Sequence, residues 1–224
     1  MKFILRASSC VVIIIAMIMA VQWKTSADDP KPLEADTVYE QANQAVTYIR
    51  VLGEYKNVRS VGSGVIVSAS GEMLTAYHVI DNAASYEVML PDGQIVTDVK
   101  LIASNESKDI ALMQLSPPKK GKSYPYVTLR KDVLKHGEKV FAIGYPLKET
   151  PIITEGIVNS PAAVINNRER ILTSAQIVSG MSGGALLDQK GQLSGIISGS
   201  LRSMDGIHLI INMNDILELY KQKK

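Results

Sequence analysis

From residue 46 onward, short apolar runs alternate with turn residues. The runs VTYIRVL (46–52), SGVIVS (63–68), EMLTA (72–76), YEVML (86–90), QIVTDV (94–99) and DIALMQL (109–115) each span five to seven residues. That length, with β-branched residues throughout, predicts strands rather than helices. Ser70-Gly71 and Pro91-Asp92-Gly93 supply the intervening turns, the second a good hairpin between two strands. The stretch SPPKKGKSY (116–124) interrupts the pattern with two prolines, a glycine and three lysines, and marks an internal boundary. A second series follows: KVFAIG (139–144), IITEGIVNS (152–160), RILTSAQI (170–177), GALLD (184–188), QLSGIISGS (192–200) and GIHLII (206–211), with a turn at Gln189-Lys190-Gly191. The last residues place Met213, Ile216, Leu217 and Tyr220 at helical spacing, with Asn212 or Asn214 as cap. Residues 37–45 allow one or two helical turns. The pattern predicts an all-β chain of two antiparallel barrels, residues 37–115 and 125–211, joined by 116–124 and closed by a helix at 212–224.

The first 27 residues follow a different pattern. Lys2 and Arg6 precede an unbroken apolar run over residues 10–21, and small residues follow at Thr25-Ser26-Ala27. This is the layout of an export signal. The uncharged span 7–23 holds 17 residues (23 − 7 + 1), just short of the roughly 20 that cross a bilayer comfortably. Residues 1–27 are therefore expected to be a signal peptide or a membrane anchor, with 28–36 (DDPKPLEAD) as linker. Either reading carries the remainder out of the cytoplasm, because the basic end stays inside.

Composition then removes several classes of function. Cys10 is the one cysteine, so an exported domain has no disulfide, thiolate nucleophile or cysteine-based zinc site. The 24 Lys and Arg are scattered among 22 Asp and Glu, for a net charge of +2, which leaves no footprint for nucleic acid. Aromatic residues make up 5%, too few for base-stacking platforms. Three separated histidines form no ligand spacing, so no metal and no cofactor are expected.

Three fragments carry chemistry. In Gly180-Met181-Ser182-Gly183-Gly184, glycines flank a serine and open backbone conformations closed to other residues. The N–H groups of Gly180 and Ser182 are placed to converge on one oxygen, although the same stretch also reads as an ordinary Gly-rich turn. A serine hydroxyl needs a base. His78, just past the apolar run EMLTA, is the best choice, since His136 lies in a solvated turn and His208 alternates within a terminal strand. The base needs an acceptor to fix its tautomer. Asp109, at the mouth of the apolar run IALMQL, suits this role or that of a turn residue. Asp81, the rival, lies three residues from His78, a poor position from which to reach that ring.

GSGVIVSASGEMLTAYHVIDNA, SKDIALMQL and IVSGMSGGALLDQKGQLSGI resemble the three signature regions of trypsin-like serine proteases, nearest to the bacterial HtrA/Deg type. The order His, Asp, Ser and the spacings (109 − 78 = 31; 182 − 109 = 73) match. The resemblance covers residues 46–211 and implies chymotrypsin-like packing of two six-stranded antiparallel barrels with the site in the cleft between them. It implies His78 as general base, Asp109 as its orienter, Ser182 as nucleophile, and the N–H groups of Gly180 and Ser182 as the oxyanion hole. Ser198, Gly199 and Ser200 match the strand that pairs with substrate backbone. Ile197 stands where glutamate-specific relatives carry histidine, and Gln176 falls near the pocket floor. A small or medium apolar residue before the cut is therefore expected, in extended or unfolded polypeptide substrates of an extracytoplasmic quality-control protease.

Two departures from the family pattern stand out. Met181 occupies the position where digestive members carry Asp and HtrA-type members usually Asn. A thioether cannot hold a new N-terminal ammonium ion in a buried pair, so activation by trimming is not expected and the loop must be set by packing or by substrate. HtrA-type chains also usually continue into a PDZ domain, whereas this sequence stops at Lys224, so no such peptide-sensing module is expected. The reading of another class is a catalytically silent fold that serves as a binding or scaffold module, which Met181 leaves open.

Overall fold

The computed structural model describes residues 31–118, 120–148 and 150–222. The expected signal or anchor, residues 1–27, lies outside the described residues. Among the described residues no helix is long and apolar enough to cross a membrane.

The chain from Leu33 begins with helix α1 (Ala35–Ala42), continued by a 3-10 turn (Asn43–Ala45) that buries Val38, Ala42 and Ala45. The front half then forms β1 (Val46–Leu52), β2 (Val58–Ile66), β3 (Glu72–Ala76), β4 (Ser85–Met89), β5 (Ile95–Val96), β6 (Val99–Asn105) and β7 (Ile110–Leu115). A short helical turn α2 (Tyr77–Ile80) follows β3 directly. The back half forms β8 (Lys139–Leu147), β9 (Thr150–Ile165), β10 (Arg168–Thr173), β11 (Ala185–Asp188), β12 (Leu193–Ser200) and β13 (His208–Ile211). Helix α3 (Met213–Lys221) ends the chain.

The back half closes into a six-stranded barrel in the order β10-β13-β12-β11-β8-β9, as expected. The front half departs from the expected second barrel. It is a seven-stranded sheet, β5-β4-β1-β2-β3-β7-β6, whose end strands do not pair. The apolar run at 94–99 explains this. Thr97-Asp98 divides it into the two-residue β5 and a new strand starting at Val99, because aspartate is poorly accommodated inside a ladder. An edge strand of two residues offers too few hydrogen bonds to close the sheet.

The β9–β10 hairpin is longer than its apolar runs suggest. Asn166 and Asn167 both take positive φ (50° and 61°), the two-residue hairpin turn that asparagine tolerates. Strand pairing therefore continues to Ile165↔Arg168. The expected boundary at 116–124 is the start of a strand-free connection that runs to Glu138. It is held to the front sheet by Tyr124 O–H to Ser116 C=O and Val127 N–H to Ile66 C=O, and to the back barrel by Arg130 N–H to Leu193 C=O.

One apolar cluster spans both halves, containing Ile49, Leu74 and Leu112 from the front and Phe141, Leu187 and Ile196 from the back. A smaller cluster, including Val140, Ile171, Ile177, Met181, Leu186, Ile197 and Ile210, fills the back barrel. Helix α3 is capped by Asn212, whose side-chain oxygen accepts the Asp215 N–H at 2.8 Å. It buries Ile216 and Leu219, while Leu217 faces solvent. Met213 and Tyr220 also pack against the core, so only Leu217 leaves the expected face, its place taken by Leu219, and the helix packs against β6, β7 and β12.

Candidate active site

His78 sits in α2, immediately after the β3 ladder ends at Ala76↔Ile110. That pairing sets β7, and hence Asp109, beside the histidine. The Tyr77 N–H donates to the Asp109 carbonyl at 3.0 Å. Asp109 itself has φ +61°, a left-handed conformation that Asp adopts more readily than most residues. It turns the carboxylate back along the strand toward His78. The imidazole Nδ1 lies 3.0 Å from each Asp109 oxygen, and the His78 backbone N–H donates to Oδ1 at 3.0 Å. Asp81 is engaged elsewhere, accepting from Tyr77 O–H and Asn82 Nδ2.

The pair is asymmetric: the Asp109 side chain is 6% exposed and that of His78 50%. Burial pushes the carboxyl up, but the His78 ring, the Ser198 hydroxyl and the His78 backbone N–H more than offset it. The Asp109 pKa consequently lies below its ordinary value. An ionised carboxylate accepts only, so Nδ1 carries the proton and Nε2 of the neutral ring is left as the acceptor.

Ser182 comes from the loop ahead of β11. Its hydroxyl donates to the Ser198 carbonyl at 3.2 Å, while Ser198 Oγ donates to Asp109 Oδ2 at 2.6 Å. Ser198 thus joins the two halves of the site, its hydroxyl on the acid and its carbonyl on the serine. The residue expected only to bind substrate also touches both expected catalytic partners.

The loop geometry bears on the oxyanion expectation. Met181 N–H donates to Val178 C=O at 3.1 Å across a turn in which Gly180 has φ +93°. Gly183 and Gly184 N–H donate to Ile197 and Met181 carbonyls. Among the described residues, the N–H groups of Gly180 and Ser182 donate to no protein acceptor. They remain as two adjacent donors beside the serine. Met181 is fully buried in the back-barrel apolar cluster, so the loop is anchored by packing where an acid would need a partner.

The sequence reading missed Ser63. This serine, fully buried in β2, donates its hydroxyl to the Gly180 carbonyl and accepts the Tyr145 N–H, both at 2.9 Å. Its own N–H donates to the Ser182 carbonyl at 2.8 Å. Ser63 thereby holds the Ser182 loop on both sides of Met181. The visible signal was a polar residue between Gly62 and Gly64 in the buried half of β2. Gln176 is exposed, its carbonyl accepting from Thr154 Oγ1. The adjacent Ile177 takes the buried position, in the back-barrel apolar cluster. Ile197 is fully buried beneath the loop, whereas Gly199 is half-buried and Ser200 exposed at the end of β12. His208 is buried, with Nδ1 2.8 Å from Ser200 Oγ and Nε2 accepting the Ile177 N–H at 3.4 Å.

A half-closed sheet against a closed barrel, with His, Asp and Ser drawn from both, defines the architecture of a trypsin-like serine peptidase domain. A family model described as a trypsin-like peptidase domain matches residues 62–196, and the chain belongs to that family. It is 37% identical over 149 residues to the periplasmic serine endoprotease DegP of Salmonella typhimurium, covering 64% of this chain and 31% of that protein. It is 40% identical over 141 residues to the periplasmic pH-dependent serine endoprotease DegQ of Escherichia coli, covering 61% of this chain and 30% of that one. Among solved structures, a serine endoprotease from Yersinia pestis superposes with a TM-score of 0.74 at 28% identity, over 86% of this chain and 67% of that chain. The chain thus spans about a third of the length of the curated relatives it matches.

Proposed function

We propose that this protein is an extracytoplasmic serine endopeptidase that cuts extended or unfolded polypeptide through an acyl-enzyme, with His78, Asp109 and Ser182 as its triad. The observation that carries the reading is the His78–Asp109–Ser198–Ser182 chain of contacts beside two uncommitted backbone donors. On substrate binding, the Ser182 hydroxyl turns from the Ser198 carbonyl to His78 Nε2. The oxygen attacks the scissile carbonyl as the proton passes to the imidazole. Asp109, held ionised by its partners, stabilises the imidazolium formed in this step. The new oxyanion accepts from Gly180 and Ser182 N–H, and loss of one such donor typically costs about 3–4 kcal/mol of barrier. His78 then returns the proton to the leaving amine, and water attacks the acyl-enzyme by the same route in reverse.

The end of β12, half-buried at Gly199 and exposed at Ser200, supports pairing with an extended substrate backbone, a mode suited to unfolded chains. The apolar cluster that contains Ile177 and Ile197 favours a small or medium apolar residue before the cut. The apolar run at residues 10–21 and the periplasmic relatives support export, with residues 7–23 as cleaved signal or tether.

A fluorophosphonate probe and unfolded casein test the reading together. The full chain is expected to label and to cleave, and Ser182→Ala to lose both, with kcat down about 10,000-fold or more. Labelling that persists in Ser182→Ala removes this serine from the chemistry. The resting Ser182–Ser198 bond favours one other reading, a catalytically silent binding module, and absence of both labelling and cleavage in the unmodified chain would establish it.

A further inference from the structure

Behind Asp109 lies a cluster of charged groups that the peptide-cutting chemistry does not use. Asp215, on the first turn of α3, is buried, as is Arg170 on β10. Asp215 Oδ1 is 2.8 Å from Lys108 Nζ and its Oδ2 is 3.5 Å from Arg170 Nη1. Arg170 Nη2 donates to the Lys108 carbonyl at 3.0 Å and Nη1 to the Glu169 carbonyl at 3.0 Å. A buried ion pair of this kind adds little net stability, because desolvation consumes most of its attraction. Its geometry has a more specific consequence.

The Lys108 carbonyl belongs to the same peptide unit as the Asp109 N–H. That N–H donates to the Glu106 carbonyl at 3.0 Å, and Arg170 holds the other end. The plane from which Asp109 departs, at φ +61°, is thus pinned at both edges. A left-handed aspartate is disfavoured by about 1–2 kcal/mol and persists only where its surroundings fix it. We propose that the Asp215–Arg170–Lys108 network is a positioning device for the triad acid, through which α3 and the back barrel hold the front sheet's Asp109 carboxylate against His78. Asp215, Arg170 and Lys108 touch neither substrate nor reacting atoms and act through Asp109. The inference rests on the triad reading above and names the residues that set its geometry.

Charge gives the device a signature that mere structural support lacks. The groups facing it are Asp109 and Lys108 from the β6–β7 turn, Arg168 and Glu169 from β10, and Asp215 and Glu218 from α3. Burial pushes the Arg170 guanidinium down while Asp109 and Asp215 pull it back up, which places it within electrostatic range of the triad acid. Asp215→Asn leaves excess positive charge near the His–Asp pair and disfavours an imidazolium. Arg170→Gln and Lys108→Met each remove positive charge and favour it.

The test uses the full chain. kcat and KM are measured on casein-derived peptide between pH 5 and 9 for Asp215→Asn, Arg170→Gln and Lys108→Met, with circular dichroism to confirm folding. The expected result is a fall in kcat of about 10- to 100-fold for the two buried positions with KM nearly unchanged. The acid limb of the pH profile moves down in Asp215→Asn and up in the other two. Lys108 is one-third exposed, so its variant should fold even where Arg170→Gln fails. A second readout is the low-field proton resonance of the His78 Nδ1–H···Asp109 bond, recorded at low pH, which should shift in Lys108→Met and Asp215→Asn. Folded variants with unchanged kcat, acid limb and resonance overturn the inference. An unmodified chain that neither labels nor cleaves overturns the protease reading instead, and the resonance still decides the inference.

Discussion

At Ser63, one hydroxyl joins the Gly180 carbonyl to the Tyr145 amide, and the residue's N–H binds the Ser182 carbonyl. The Ser182 loop therefore takes its shape partly from a strand more than a hundred residues away. Ser63→Ala deletes the bridge and leaves two polar backbone groups without a partner, at about 1–3 kcal/mol for a buried group. The expected outcome is a lower midpoint in chemical denaturation together with slower fluorophosphonate labelling, since Gly180 then loses its anchor. Normal labelling with unchanged stability would show that Met181 packing alone sets the loop. Gly183 lies close against Ser63 from the loop side. A side chain there would meet the Ser63 carbonyl and Thr75 Oγ1, and its φ of +86° is one that glycine adopts freely. The glycine read from sequence as opening a conformation closed to other residues is also needed for close approach to β2.

Among the elements, α3 shows how local sequence and tertiary contact divide the work. Asn212 was legible as a cap, because a side-chain oxygen before an amphipathic run satisfies an orphan N–H. Its amide also donates to Glu169 Oε1 at 2.9 Å, tying the helix start to β10. Asn212→Ala should lower stability by about 0.5–2 kcal/mol, measured by urea unfolding. It should also lower kcat through Asp215, three positions into the helix. A stability loss with unchanged kcat would separate the cap from the active site. The strands were read well where a short run of mostly apolar residues was bounded by turn residues, as in β1, β3 and β12. They were read poorly where pairing came from a distant partner. β6 carries Lys100, Ser104 and Asn105 with little alternation, and it forms because β7 offers a complete ladder beside it. The extra turn of β9–β10 depended on Asn166-Asn167, a hairpin signal hidden inside a polar stretch.

Across the whole molecule, two buried titrating groups make folding sensitive to acid. Burial holds His208 below its ordinary pKa, with Nε2 kept as acceptor by the Ile177 N–H and Nδ1–H directed to Ser200. The unfolded imidazole takes a proton below about 6.5, so the unfolded state binds more protons between that value and the folded pKa. Stability is expected to fall as pH drops through that window. Asp109 acts lower on the scale. Its depressed pKa contributes stability above about 3.9, which is lost as pH falls from there through the folded value. Urea unfolding from pH 7.5 to 3 should show both declines, and His208→Gln should flatten the upper one. An upper decline that persists in His208→Gln would assign it to another group.

The sequence by itself determined the chemistry-bearing residue types, their order and the all-β class, because turn residues, alternation and a few short motifs act locally. It also exposed Met181 as incompatible with a buried ammonium partner. Only the tertiary structure decided that the front sheet stays open, that Ser198 links Asp109 to Ser182, that Ser63 holds the Ser182 loop, and that Arg170 ties α3 to the peptide unit ahead of Asp109. Each of these depends on contacts between residues far apart in the chain, whose strength comes from burial and from hydrogen-bond geometry. Neither quantity exists until the two halves pack.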